Sequence, residues 1–190
     1  MNLAEKMACR ERALDRLRVA TQAVHERLEL RLDAIGQLSD PLRRAPLLRR
    51  YAAFYMPADD ALAAKLACLP ELGFEAGSRG ALLARYAEPP LPAFPRPASL
   101  SEALGLLYVL EGSTLGGRLI LRELARRGVE MADLAFLDPY GAETGARWRS
   151  FLAVLERETG FGDERRIEEA ERGAVRGFAH AEKILCGDAP

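Results

Sequence analysis

The first third of the chain has the hydrophobic pattern of two amphipathic helices. Over residues 14–32, apolar side chains recur every three or four positions between charged ones, without an internal glycine or proline. The apolar positions are Leu14, Leu17, Ala20, Thr21, Val24, Leu28 and Leu32. Gly36 is predicted to end this helix, and Asp40-Pro41 to begin the next. That second helix is expected to break or kink at Pro57, which has no amide donor, and to resume beyond it.

Prolines, glycines and capping residues divide the rest of the chain into further helices. Prolines make residues 89–97 an extended connector. Ser99 and Glu102 form a capping box at the start of a long helix, and Asp163 is placed to cap another. The helices predicted in this part span residues 78–87, 99–127, 144–159 and 163–185. No segment alternates like a strand, so the pattern predicts a single all-α domain of about seven helices over residues 1–190.

The long helix from residue 99 contains glycines on one face. Gly105, Tyr108, Gly112 and Gly116 are spaced at i, i+3, i+7 and i+11, which places them together along the helix. An interior glycine costs roughly 1 kcal/mol relative to alanine, so several of them need a structural reason. A flat ligand lying against bare backbone is one reason, and close packing of a second helix is the other. The pattern alone leaves both open.

His25 is the strongest candidate metal ligand in the sequence. Glu29 follows it by one helical turn, where a carboxylate can accept from Nδ1–H and leave Nε2 as a lone-pair donor. The alternative is a half-buried histidine that pairs with Glu29 and binds no metal. Arg18 lies two turns before His25 and either meets a ligand carboxylate or stays solvated. The second histidine, His180, is interpreted as a surface or helix-packing residue.

Composition narrows the possible functions. The 190 residues are 49% hydrophobic and 29% charged with a net charge of -1, which favours a folded protein without the broad basic surface of a nucleic-acid binder. No uninterrupted apolar run approaches the roughly 20 residues of a membrane helix, and the N-terminus lacks a signal-peptide pattern. The three cysteines are odd in number and far apart, so no disulfide framework or metal spacing follows. These features predict a cytoplasmic protein with neither a nucleic-acid nor a membrane partner.

His25 and the glycine face predict more together than either does alone. If the first helix and the glycine-bearing helix face one another, an imidazole opposes bare backbone, which makes a slot for a planar ring with a metal at its centre. Heme is held by an axial histidine on one side, and its other side must stay open if O2 is to bind. The two features together therefore predict a heme site.

Two segments of the sequence resemble the heme oxygenases of the bacterial branch. Residues 17–29 are similar to the proximal helix of that family, and residues 108–117 to its distal helix. Residues 54–57 and 148–151 add to the likeness, which extends over most of the chain. The resemblance implies an all-α, heme-oxygenase-like fold with heme between the proximal and distal helices.

The resemblance also implies roles for individual residues. It makes His25 the axial ligand of the heme iron and Glu29 its hydrogen-bonding partner. Gly112 and Gly116 match the glycines that let the distal helix kink over heme. Ser113 stands where mammalian-type members have an aspartate that orders water, so these three distal residues share a steric and water-network role. Further positions near the heme are Arg18, Tyr108, Gly117 and Phe178.

The activity implied by the resemblance is cleavage of heme with O2 and electrons to biliverdin, CO and ferrous iron. A ferredoxin or flavoprotein reductase would supply the electrons, and the product would serve iron acquisition or a bilin-using photoreceptor downstream. A non-catalytic heme-binding or trafficking protein of the same fold is the alternative. A third possibility is a helical interaction domain without a cofactor.

Overall fold

The computed structural model describes residues 12–74, 78–160 and 163–187. Seven α-helices account for most of these residues. They are α1 (Ala13–Leu32), α2 (Ala34–Ser39), α3 (Pro41–Leu66), α4 (Ser78–Leu83), α5 (Leu100–Arg126), α6 (Thr144–Leu155) and α7 (Glu164–Cys186). Short 3-10 turns lie at Pro70–Leu72, Ala84–Tyr86, Ala135–Leu137 and Gly141–Glu143, and a π-helical turn follows α6 at Glu156–Gly160. These described ranges contain no β-strand, which confirms the all-α fold class. Cys9, one of the three cysteines of the sequence, lies outside these ranges.

The boundary after α1 differs from the sequence prediction. Asp33 adopts the left-handed conformation, with φ of 40°, and ends α1 there. Its carboxylate accepts from the Gly36 amide at 3.1 Å and begins α2, so Gly36 lies inside a helix and the predicted end at this glycine is wrong. The predicted restart is confirmed, because the Asp40 carboxylate accepts from the Leu42 amide at 2.9 Å at the start of α3.

Helix α3 runs without interruption through Pro57, so the predicted break at this proline is wrong. An interior proline costs about 3 kcal/mol through its missing donor and its clash with the preceding turn. Phe54, Tyr55, Ala58 and Leu62 are all buried on either side of it. Burial of each large apolar side chain is worth roughly 1.5–3 kcal/mol, so tertiary packing outweighs the local penalty.

Helix α7 packs against both α5 and α1 and thereby joins them. The α5–α7 contact is close because glycines lie in it. A Cβ added at Gly105 would come within 1.9 Å of the Ala170 carbonyl oxygen, and one at Gly173 within 2.2 Å of the Glu102 carbonyl oxygen. Close helix packing therefore explains Gly105, the first member of the glycine face.

Helix α5 begins at the predicted cap. The Ser99 hydroxyl accepts from the Glu102 amide at 3.2 Å, and the Glu102 carboxylate accepts from the Ala98 amide at 2.6 Å. By length and composition α5 is apolar enough to cross a membrane, with a mean hydropathy of 1.3 over its most apolar stretch. Core helices pass the same test, and half of that stretch is buried within this fold.

Candidate functional site

His25 lies on α1 with its side chain half exposed, one residue after the buried Val24. Its ring lies 4.9 Å from the ring of Phe178 on α7, at an interplanar angle of 49°. The atom that faces Glu29 is Nε2, which is 3.3 Å from Glu29 Oε1. The expectation that Glu29 would hold Nδ1 and leave Nε2 unpaired is therefore wrong for this conformation. Both side chains are at least half exposed, so the imidazole has room to turn.

Aromatic rings connect His25 to the glycine-bearing helix. The Tyr108 ring on α5 is 6.3 Å from the Phe178 ring and 6.1 Å from the Trp148 ring. Burial raises the pKa of the Tyr108 phenol, while the Thr21 hydroxyl and the Arg18 guanidinium on α1 lower it. Of the residues proposed from the sequence, the fold thus brings His25, Phe178 and Tyr108 together across three helices, and the Arg18 charge acts on the Tyr108 phenol.

The glycines that follow Tyr108 on α5 have different surroundings. A Cβ at Gly112 would have only the edge of Trp148 near it, at 4.0 Å, and a Cβ at Gly116 would meet no described atom within 4 Å. A Cβ at Gly117 would come within 2.0 Å of the Leu137 carbonyl oxygen. Gly112 and Gly116 therefore present open backbone, as expected for a ligand-facing surface. Gly117 is explained by close packing on another part of the chain.

A buried carboxylate clamps α1 onto α7 near His25. Glu182, one turn after Phe178, is 7% exposed and accepts from Nε and Nη2 of Arg27 at 2.7–3.0 Å and from Nη1 of Arg31 at 2.7 Å. Hydrogen bonds from these two arginines lower the pKa of Glu182 to about 2. The clamp fixes the rotation of α1 and hence which face of α1 carries His25 toward Phe178.

Ser113 follows Gly112 on α5 and forms a hydroxyl pair with Tyr55. Its Oγ donates to the Leu110 carbonyl oxygen at 2.6 Å and lies 3.0 Å from the Tyr55 hydroxyl. Because the single serine proton is used on the carbonyl, Tyr55 donates to Ser113. Tyr55 is 4% exposed and Ser113 is half-buried, so only the tyrosine side of this hydrogen bond is shielded from solvent.

The structure also contains a buried charged cluster that the sequence analysis did not identify. Arg79 of α4 and Glu111 of α5 are 4% and 6% exposed, and Arg79 Nη2 lies 3.7 Å from Glu111 Oε1. The Tyr140 hydroxyl donates to the same carboxylate oxygen at 3.0 Å. One signal in the sequence could have identified this cluster: Glu111 ends the largely apolar run 103–110, and a carboxylate buried there needs a partner.

His180 has the packing role that was interpreted from the sequence. Its ring lies 5.1 Å from the Phe94 ring and 6.0 Å from the Phe54 ring. Burial lowers the pKa of His180, and the Lys183 charge lowers it further.

The residues around His25 suit a planar apolar ring with a metal at its centre. They offer one half-exposed imidazole, three neighbouring aromatic side chains and two glycines, Gly112 and Gly116, with little or nothing packed against them. Among the described residues, no group of three or more His, Cys, Asp or Glu side chains is placed to hold a metal ion.

Comparison with known proteins gives one informative match. A curated protein named heme oxygenase, from Xanthomonas campestris pv. campestris (strain 8004), is 41% identical to this chain over 98 residues. The match covers 51% of this chain and 58% of that protein. No protein-family model matches the chain.

Proposed function

We propose that this chain binds heme and oxidises it to biliverdin, from the premise that its similarity to the Xanthomonas protein supports assignment to the heme oxygenase family. The observation that carries the proposal is the half-exposed His25 imidazole beside Phe178, close to the helix that presents Gly112 and Gly116. A histidine-ligated heme that binds O2 needs both features, a nitrogen donor on one side and an open surface on the other.

In this proposal, each residue around the heme pocket has a distinct role. His25 turns its Nε2 away from Glu29 and binds the iron, and Phe178 packs beside its ring. Tyr108 lines the edge of the pocket, while Arg18, which is mostly exposed and pairs only loosely with Asp15 at 3.7 Å, is available to a propionate. The open backbone at Gly112 and Gly116 leaves room for O2 and restricts the direction from which it approaches.

Proton supply is assigned to the hydroxyl pair. Tyr55 and Ser113 share a half-buried hydrogen bond next to Gly112, so the Ser113 side of the pair is open to water. Ser113 replaces the carboxylate of mammalian-type members, so water held by these hydroxyls and by backbone carbonyls would deliver protons here.

Heme supplies the iron and the reactive macrocycle, and its oxidation with O2 and electrons gives biliverdin, CO and ferrous iron. The electron donor in this proposal is a ferredoxin or a flavoprotein reductase. The reaction is cytoplasmic, and it serves iron acquisition or supplies biliverdin to a bilin-using photoreceptor. The net charge of -1 does not select between these donors.

The test is single-turnover spectroscopy of the purified protein mixed with hemin. On addition of ascorbate or a ferredoxin system in air, the Soret band should decay while a biliverdin band grows. A stable Soret band would instead favour a heme-binding or trafficking protein, and no spectral change with hemin would exclude both.

Replacement of the proposed ligand is the matched control. His25→Ala should abolish the histidine-ligated heme spectrum, because no second histidine lies on the same face among the described residues: His180 packs between Phe54 and Phe94. Addition of imidazole should restore part of the spectrum if the pocket is intact. A spectrum identical to that of the parent protein would remove His25 from this role.

A further inference from the structure

The Arg79 guanidinium is buried directly against the backbone of α5. Its Nη1 donates to the Leu110 carbonyl oxygen at 2.6 Å. In a regular α-helix that carbonyl accepts from the Thr114 amide, and here the Ser113 hydroxyl donates to it as well. A charged donor on a helix carbonyl is stronger than a neutral one and holds the carbonyl in one orientation.

Two aromatic rings hold the guanidinium in place. Arg79 Cζ lies 5.3 Å from the centre of the Tyr55 ring and 5.4 Å from that of Tyr140. Tyr140 also donates to Glu111, and Tyr55 donates to Ser113. Arg79 therefore contacts α5 directly at Leu110 and Glu111, and it is connected to Ser113 through the Tyr55 ring.

The helix that bears Arg79 is itself fixed to α3. A Cβ at Gly80 would lie 3.0 Å from Met56 Cγ and 3.4 Å from Met56 Cα, so this glycine permits a close approach of α4 to α3. A small cavity adjoins Arg79 and Asp59. Its volume of about 10 Å³ is the lower limit for one water molecule. Arg79 Nε has no hydrogen-bond partner among the described residues, so a water in this cavity would complete the donor set.

We propose that Arg79 is a positioning residue: by binding the Leu110 carbonyl and pairing with Glu111, it fixes the turn of α5 that holds Gly112 and Ser113. Its consequence for heme chemistry rests on the proposed function, but its effect on α5 does not. Without Arg79, the Leu110 carbonyl loses its charged donor and Glu111 is left buried with only Tyr140. The turn then samples more than one position, and the open glycine face loses its fixed distance to anything bound beside His25.

The first measurement uses the protein without heme. Hydrogen–deuterium exchange of peptides covering residues 110–117 should be at least roughly tenfold faster in Arg79→Met than in the parent protein, because one charge-assisted hydrogen bond is lost there. Arg147→Met is the matched control. Arg147 also stacks on Tyr140, at 3.9 Å, but its own hydrogen bond goes to Gly73 and not to α5. Unchanged exchange in Arg79→Met, or an equal increase in Arg147→Met, would overturn the proposal.

Arg79→Lys keeps the experiment decisive if Arg79→Met does not fold. A lysine retains one charged donor but cannot bind Leu110 and contact Glu111 as a planar fork, so exchange at 110–117 should lie between the parent and Arg79→Met values. Parent-like exchange in a folded Arg79→Lys, with no Arg79→Met protein to compare, would also count against the proposal.

The second measurement uses the heme–CO complex. Arg79→Met should keep the histidine-ligated Soret band, since His25 lies on α1, but its C–O stretching band should broaden or split relative to the parent and Arg147→Met. A single parent-like band would overturn the positioning role. If none of these proteins binds hemin, the proposed function fails, and the exchange measurement still decides whether Arg79 fixes α5.

Discussion

At the scale of single residues, the glycines of α5 differ in what lies next to them, although they belong to one helix. Gly105 and Gly117 lie against backbone carbonyls of other segments, whereas Gly112 and Gly116 face open space. The sequence spacing correctly grouped Gly112 with Gly116, but it could not separate them from Gly105, because both close packing and ligand approach require a missing side chain.

Alanine at the two adjacent glycines should therefore have opposite effects on stability. Gly117→Ala overpacks against Leu137 and should lower the melting temperature by roughly 2–12 °C, from a cost of about 1–3 kcal/mol. Gly116→Ala meets nothing and should raise it by a few degrees, from the gain of up to about 1 kcal/mol in helix propensity. Calorimetry of both variants checks this, and equal shifts would contradict the distinction.

Bulk at the open position should affect ligand binding instead. Gly116→Leu is expected to fold with a melting temperature close to that of Gly116→Ala, yet to bind hemin or CO more weakly because the side chain occupies the proposed ligand space. Hemin and CO titrations check this. Parent-like affinity for both would show that Gly116 does not face the ligand.

The ion pair between Arg79 and Glu111 could not be predicted from the sequence. Arg79 belongs to no motif, and its contact with Glu111 joins a six-residue helix to a long one across 32 positions of sequence. The apolar surroundings of Glu111 indicate that it needs a partner, but no periodicity identifies which arginine supplies it.

At the scale of helices, amphipathic periodicity and caps predicted the elements well, and Pro57 was the main failure. Local penalties such as a helix-interior proline are a few kcal/mol, and the burial around α3 that overrides them is a tertiary quantity. The same limit applies to the pairing of helices. The sequence predicts that α1 and α5 face each other, but it does not predict that α7 packs against both and joins them.

The clamp between α7 and α1 predicts a specific dependence of stability on pH. The folded-state pKa of Glu182 is about 2, below its ordinary value of 4.5, so its carboxylate stabilises the fold above pH 4.5 and loses that contribution as pH falls toward 2. The melting temperature of Glu182→Gln should therefore lie below that of the parent at neutral pH, and the two should converge toward pH 2.

A control on the same helix isolates this effect. Glu168 is exposed on α7 and makes no ion pair among the described residues, so Glu168→Gln should follow the parent protein at every pH. A constant difference between Glu182→Gln and the parent from pH 7 to pH 2 would show that the carboxylate charge is not what holds α1.

At the scale of the whole molecule, a ligand that binds between α1 and α5 should stabilise the entire fold. Free hemin at about 100 times its dissociation constant contributes roughly 2.7 kcal/mol, which for a chain of this size raises the melting temperature by about 5–11 °C. His25→Ala should lose most of this increase while its ligand-free melting temperature stays near that of the parent. An equal increase in both proteins would place hemin elsewhere.

The clamp on α1 joins residues that are far apart in the chain. Arg27 and Glu182 are separated by 155 positions, and the Ala13 amide at the start of α1 donates to Glu156, 143 positions later. At about 5–20 residues per second, a ribosome synthesises Glu182 roughly 8–30 s after Arg27, when α1 has already been made. During that interval α1 exposes Leu17, Val24 and Leu28 together with His25, so the nascent chain carries its proposed iron ligand before it has a pocket. The heme binding proposed for His25 would therefore require the completed fold, and until then the apolar face of α1 has no partner on α7.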